Sequence, residues 1–191
     1  MNNLGIVASQ ISGHLWAPSG AYDAIASITL NASAASITFS GIPSTYTHLQ
    51  LRGIARSSRA TQNEDAYINI NSDTGSNYAY HYLLGDGATA SASAATSGTK
   101  GYVARNTMAG ASSAANVFSP FIVDILDYTS TNKNKTIRTL GGTEENSTNG
   151  AIALISSLYF ATPAAITTLT LTLPSSASFV TYSSFALYGI R

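Results

Sequence analysis

The histidines and the serine–lysine pairs are the side chains of this chain best suited to chemistry, and their spacing matches no catalytic or metal site. His14, His48 and His81 stand far apart, and none lies two to four residues from another histidine or a carboxylate. Residues 97–100 (SGTK) and 130–133 (STNK) match S-x-x-K, a motif in which a helix brings the lysine under a nucleophilic serine. Both segments are rich in serine and threonine, and no helix is predicted there, so we assign no nucleophile.

The acidic and glycine-rich motifs also favour structure over catalysis. The tripeptide DTG at residues 73–75 occurs once, whereas aspartic proteases need two such carboxylates sharing a proton, so we predict a tight turn. The glycines of GDG at 85–87 and GG at 141–142 precede no predicted helix, which argues against a phosphate-binding loop. Four further carboxylates are too scattered for a glycosidase pair: Asp124, Asp127, Glu144 and Glu145. We therefore expect no enzyme, no catalytic residue, no cofactor and no metal.

Charge and composition limit the classes of partner that this chain can have. The 191 residues carry 9 basic and 9 acidic side chains, so the net charge is zero, and only 9% are charged against about 25% in an ordinary domain. This excludes a basic nucleic-acid surface, and no apolar run is long enough to span a membrane. The absence of cysteine excludes disulfides and thiol catalysis. So few charges favour permanent assembly.

The apolar pattern predicts strands throughout. From Asp23 onward apolar residues alternate with period two, and no segment has a helical period. About ten short strands in a chain of this length predict an all-β fold, an antiparallel β-sandwich that is jelly-roll-like. Residues 1–22 form an N-terminal docking arm in this interpretation, and residues 23–191 form the sandwich. Five apolar side chains of the arm are the predicted partner-docking residues: Leu4, Ile6, Ile11, Leu15 and Trp16.

Four local expectations follow from the same pattern. The turn NSDTGSN is expected to join the strands AYININ and NYAYHYLL as a hairpin. Residues 86–116 are expected to form a long loop or an edge excursion, with one short strand at 102–105. The segment NVFSPFIVDILDY is apolar on both faces and is therefore assigned to the sandwich interior. Gly53 in mid-strand indicates a bulge or a close approach of another group.

Two clusters are candidates for contacts with other molecules. Arg52, Arg56 and Arg59 form the only basic cluster, and we interpret them as inter-subunit ion pairs. Three tyrosines share one face of a predicted strand and could stack on the rings of a glycan, although core or subunit-interface packing is favoured for them: Tyr78, Tyr80 and Tyr82.

Four segments carry a resemblance to a known family: SITFSGIPSTYTHLQLRGIARS, NSDTGSNYAYHYLLGDG, FIVDILDYTSTNKNKTIRTLGG and SFVTYSSFALYGIR. Together they resemble small phage-encoded virion proteins common in phages of aquatic bacteria, over residues 23–191. The resemblance implies a jelly-roll-like module on the outer surface of the particle, made in the host cytoplasm and forming a homotrimer. It assigns no functional residue. The start MNNLGIVASQ lacks a basic residue, so we expect no secretory signal, and lysis would release such a protein.

Two functions are compatible with that resemblance. The first is a head decoration (cement) protein that binds the phage major capsid protein and stabilises the shell. The alternative is a tail or fibre module that binds host-surface glycan. A hydrolase acting on cell-wall sugar is disfavoured because no carboxylate pair is recognisable.

Overall fold

The alternating segments form strands that pair into two antiparallel sheets. The computed structural model describes residues 21–161 and 163–191, and all of the regular secondary structure in this part of the chain is β. The twelve strands are β1 (Tyr22–Thr29), β2 (Ser36–Ser40), β3 (His48–Ala55), β4 (Asn63–Ile70), β5 (Tyr78–Gly85), β6 (Ala90–Gly98), β7 (Gly101–Ala109), β8 (Ser119–Ile125), β9 (Lys135–Thr143), β10 (Ala151–Tyr159), β11 (Thr168–Thr172) and β12 (Ser184–Ile190). Nowhere in the described ranges is there a helix with the length and hydropathy to cross a membrane.

The two sheets differ in size and pack face to face. The large sheet has eight strands in the order β1-β12-β3-β8-β9-β10-β5-β6, and the small sheet has four in the order β2-β11-β4-β7. One hydrophobic core lies between them, because alternate residues of the strands where the two sheets face each other point inward. The all-β sandwich prediction is confirmed, and the jelly-roll connectivity stays a prediction. Core residues from the two sheets include Leu49, Leu51, Val123, Phe185 and Leu187 of the large sheet and Ile37, Phe39, Ile68, Leu169 and Leu171 of the small one.

Gly53 marks a close approach. The pairing of β3 with both neighbours is continuous through this residue, so the strand has no bulge there. A Cβ atom at Gly53 would lie 2.2 Å from the ring of Phe121 on the adjacent strand. The missing side chain therefore makes room for a core aromatic ring.

The predicted hairpin between AYININ and NYAYHYLL is wrong. β4 belongs to the small sheet and β5 to the large one, so the connection crosses from one layer to the other. Both strands direct apolar residues into the same core from opposite sides: the Tyr78 hydroxyl accepts a hydrogen bond from the Ile70 N–H at 2.9 Å. The alternation was correct, but it does not say which sheet a strand joins.

Of the two alternatives for residues 86–116, the long loop is also wrong. The edge excursion is closer to the structure, because this segment supplies one edge strand to each sheet. It contains β6 and β7, each of nine residues, and β6 pairs with β5 as a tight hairpin. One carboxylate oxygen of Asp86 accepts the N–H groups of Ala88 and Thr89, and Gly87 adopts a positive φ of 84°. An Asp-Gly pair is typical of hairpin turns. The alanines and serines of the following strand have a low β-propensity, so the sequence did not predict a strand there.

Candidate functional site

The outer face of the large sheet exposes apolar side chains where a solvated sheet would carry polar ones. In β8, Phe121, Val123 and Ile125 are buried, whereas Ile122, 40% exposed, points away from the core. The interior assignment of NVFSPFIVDILDY is therefore wrong for one of its two faces. The apolar residues on the second face of this segment lie on the exposed surface of the sheet.

Four strands contribute to this surface in register. Ile122 lies opposite Leu140, Leu140 opposite Leu154, and Leu154 opposite Leu83. The last three side chains are 50%, 45% and 60% exposed. With strands about 4.8 Å apart, the row is about 14 Å long. We define the outer apolar face as these four residues together with Ile152, which is 59% exposed.

A trough lies beside this row because glycines replace side chains. Ile152 is flanked by Gly142 on β9 and Gly85 on β5, neither of which has a side chain to fill the surface. The loops at residues 86–88 and 144–150 form its walls, and the cavity has a volume of about 720 Å³. A second hollow of about 410 Å³ continues toward β6. The result is a concave apolar surface rather than a flat one.

Charged groups surround the outer apolar face without entering it. Asp86 and Glu144 line the trough at one end. Hydrogen bonds from the Thr89 and Ala88 N–H groups hold the pKa of Asp86 below its ordinary value, so this carboxylate is ionised at neutral pH. On the other side Asp124 lies opposite Arg138 across the β8–β9 pair. An apolar centre inside a polar rim is the anatomy of a protein–protein interface.

Arg52 lies on the same side of the sheet, beyond Ile122. Its guanidinium carbon is 5.3 and 5.4 Å from the ring centroids of Tyr22 and Tyr188, and its Nε donates to Gln50 at 2.6 Å. The flat guanidinium is thus fixed between aromatic rings and remains exposed. It extends the rim of the outer apolar face.

The other two arginines bind within the chain. Arg59 donates to both carboxylate oxygens of the buried Glu64 at 3.0 and 3.1 Å. Arg56 donates to backbone carbonyls of the β7–β8 connection: those of Ala111, Ser113, Ala114 and Val117. Both arginines thus have partners within their own chain, and their assignment to inter-subunit ion pairs stays a prediction.

The three predicted glycan-contact tyrosines separate into two groups. Tyr78 is fully buried in the core, which is the placement favoured for it, so the glycan-contact alternative is wrong for this residue. Tyr80 and Tyr82 do share its face, as expected, but they are only half-buried. Their rings stack at 6.2 Å, and Tyr102 of β7 meets Tyr80 edge-on at 4.5 Å.

Arg105 ties this tyrosine cluster (Tyr80, Tyr82 and Tyr102) to the small sheet. Its guanidinium lies 5.2 Å from the centroid of Tyr82 and binds both carboxylate oxygens of Asp65 at 2.7 and 2.9 Å. Burial alone would lower the pKa of Arg105, but the hydrogen bonds and charge of Asp65 outweigh burial and raise it. Burial, together with Tyr80, raises the pKa of Tyr102. The cluster therefore consists of three uncharged aromatic rings next to one cation, Arg105, which Asp65 holds in place.

The motifs set aside in the sequence have structural roles. Asp73 of the DTG tripeptide accepts hydrogen bonds from the Gly75 N–H at 2.7 Å and from the Asn77 side chain at 2.8 Å, which confirms the predicted turn. His48 Nδ1 accepts the Asp127 N–H at 2.9 Å. Within the described ranges, no three histidine or acidic side chains are grouped to hold a metal ion.

The five docking residues predicted for the arm, and His14, lie outside the described residues. Comparison with models of known families, with curated proteins and with solved structures finds no match for this chain. The resemblance to phage virion proteins therefore stays a prediction. Sequence reasoning missed the outer apolar face, although AIALISSLY of β10 carries apolar residues on both faces and could have revealed it.

Proposed function

We propose that this protein is a structural subunit of a phage particle, a decoration protein that docks on the outer surface of the capsid and stabilises the shell. The observation that carries the proposal is the outer apolar face. A sheet exposed to solvent on one side alternates apolar-in with polar-out, and the large sheet departs from this pattern on four adjacent strands.

The composition supports a permanent contact at this face. Exposed aliphatic side chains next to a concave trough favour a partner that brings apolar side chains of its own. The chain carries no net charge, so it has little to keep free copies apart at neutral pH. A subunit that stays bound to a larger assembly does not need charge repulsion between free copies to remain in solution.

The test is attachment to particles that lack the protein. Purified full chain is mixed with such particles, and bound copies are counted by quantitative mass spectrometry. We expect saturation at a number proportional to the shell lattice for the natural chain, and at least a tenfold weaker attachment for Leu154→Asp, which places a charge in the centre of the outer apolar face. Thr38→Asp, on the outer face of the small sheet, is the matched control and should bind as the natural chain does.

Two results would contradict the proposal. Equal attachment of the Leu154→Asp variant would show that the face is not the contact. A natural complement of only a few copies per particle would place the protein in the tail rather than on the shell.

A second function, binding of host-surface glycan by a tail or fibre module, is favoured by the tyrosine cluster. Tyr80, Tyr82 and Tyr102 offer partly exposed rings next to the Arg105 cation, an arrangement that suits sugar faces and their hydroxyl groups. Glycan-array binding that Tyr82→Ala removes and Tyr82→Phe retains would support this function. Silence of the natural chain across host polysaccharides would exclude it.

A further inference from the structure

The edge strand β6 is the part of the sandwich with the least internal support. Seven of its nine residues are exposed, and the small sheet covers neither of its faces. It contains only alanine, serine, threonine and glycine. Such a strand buries almost no apolar area against the described residues of its own chain, so packing within residues 21–161 and 163–191 does not account for a nine-residue strand.

The free edge of β6 is regular. Its pairing with β5 is continuous from Ala90 to Ala95. The Asp86 N–H donates to the Thr89 carbonyl at 3.2 Å, which makes that pair hydrogen-bonded, and antiparallel pairs then alternate along the ladder. The N–H and C=O groups of Ala90, Ala92 and Ala94 therefore point away from β5, toward the open side of the sheet.

The other sheet edges in the described part of the chain carry the usual protection against further pairing. β1 has an irregular register between Ala24 and Ala26 and holds Asp23, which pairs with Arg191. β2 has only five residues, and the pairing of β7 shifts register twice. Short strands, bulges and charges block edge-to-edge pairing, and the regular part of β6 has none of these.

We propose that β6 is a self-association edge: two copies of this chain pair β6 against β6, antiparallel, about a two-fold axis near Ala92. A strand meets its own copy in such a pair, so any charged residue near the axis would face a like charge. β6 has no charge, so no like charges meet at this axis. The two large sheets then form one continuous sheet of sixteen strands. This inference is independent of the proposed function.

The pairing also has a consequence for the outer apolar face. Leu83 lies opposite Ala92, so the row from Ile122 to Leu83 ends on β6. Pairing at Ala92 joins this row to the same row of the second copy. The pair presents one apolar surface of twice the length.

The experiment measures the mass of the full chain in solution by analytical ultracentrifugation. We expect the natural chain to have the mass of two copies or of a multiple of two. Ala92→Pro removes an N–H that bonds none of the described residues of its own chain and should halve that mass. Ala92→Val keeps the N–H and adds side-chain volume at the same position, so it is the matched control and should retain the mass of the natural chain.

Cysteine cross-linking gives a second readout that does not depend on the proline variant folding. The chain has no cysteine of its own, so Ala92→Cys introduces a single thiol. Paired residues of an antiparallel ladder have Cα atoms about 5.5 Å apart, within reach of a disulfide. We expect rapid covalent dimers from Ala92→Cys under mild oxidation and none from Thr38→Cys on the small sheet.

Three outcomes would overturn the inference: a natural chain of one copy, an assembly of three copies, or a dimer that Ala92→Pro leaves intact with no cross-link at position 92. None of these bears on attachment to particles, which Leu154→Asp tests separately. A natural chain that dimerises but does not attach would leave this inference standing and contradict the proposed function.

Discussion

The two outward faces of this sandwich are built on the same alternation and differ in chemistry. On β2 of the small sheet, Ser36, Thr38 and Ser40 point outward, and the Thr38 and Thr170 hydroxyls hydrogen-bond to each other at 3.2 Å. On the large sheet the corresponding positions of four strands carry leucine and isoleucine. The small sheet presents hydroxyl groups to solvent, whereas the large sheet presents aliphatic side chains.

The contrast shows that burial and apolarity must be considered separately. The inward leucines hold the sandwich together, whereas the outward ones contribute little to its stability and remain available for contacts. The following substitutions test that separation within this one chain.

The largest expected effect comes from comparing an inward leucine with an outward one. Leu51 is fully buried, and Leu51→Ala should lower the free energy of unfolding by about 2–5 kcal/mol. Leu154 is 45% exposed, and Leu154→Ala should change it by no more than about 0.5 kcal/mol. Urea unfolding followed by fluorescence measures both. Similar losses for the two variants would mean that the outer apolar face is part of the core.

The next comparison uses two strand glycines of the large sheet. Gly53→Ala places a methyl group against the Phe121 ring and should cost about 1–3 kcal/mol, because the ring has to move. A Cβ atom at Gly85, on the outward side, would meet its nearest neighbour, Ile152, at an ordinary 3.8 Å. Gly85→Ala should therefore leave the urea midpoint unchanged while it partly fills the trough. A larger loss of stability at Gly85 than at Gly53 would reverse the comparison.

A smaller effect is expected at the Tyr159 hydroxyl, which donates to Asp73 at 2.9 Å at the inner end of β10. Tyr159→Phe removes this hydrogen bond and should lower the free energy of unfolding by about 0.5–1.5 kcal/mol at pH 7. Leu158 is the neighbouring residue and points outward, so Leu158→Ala should lower the free energy of unfolding by less than Tyr159→Phe does. Thermal unfolding of the two variants under the same conditions measures the two losses of stability and shows which is larger.

The same tyrosine also predicts a pH dependence. Burial first, and then the hydrogen bond to Asp73, raise the pKa of Tyr159 above the ordinary value of 10.0. Above about pH 10 the unfolded chain therefore loses the phenolic proton while the folded chain keeps it, so stability falls as the pH rises. The fall between pH 10 and 11 should be shallower in Tyr159→Phe than in the natural chain. An identical slope would show that this hydroxyl ionises alike in both states.

Much of the fold could be predicted from the sequence, because period-two alternation is local. Ile68 and Ile70 stand at alternate positions of AYININ and are both buried, and Tyr78 lies in the core, the placement favoured for it. Which sheet a strand joins depends on contacts between distant segments, and for this reason the β4–β5 hairpin was wrong. β6 was missed because alanine and serine carry no strand signal, and pairing with β5 overrides their propensity.

The candidate site was harder to predict than the fold. Sequence reasoning looked for chemistry in arginines and tyrosines, and the structure shows Arg59 bound to Glu64 and Tyr78 in the core. The outer apolar face became visible only when four strands were placed side by side. Its members Leu83 and Leu154 are 71 positions apart in the sequence.

Hydroxyl-radical footprinting of the protein, free and on purified particles, tests the central claim most directly, because it reports the solvent exposure of aliphatic side chains. We predict that Leu83, Leu140, Ile152 and Leu154 lose most of their labelling on the particle, while Tyr182, 77% exposed and outside this face, keeps its labelling. Unchanged labelling of the four residues on the particle would contradict the assignment of the outer apolar face as the docking surface.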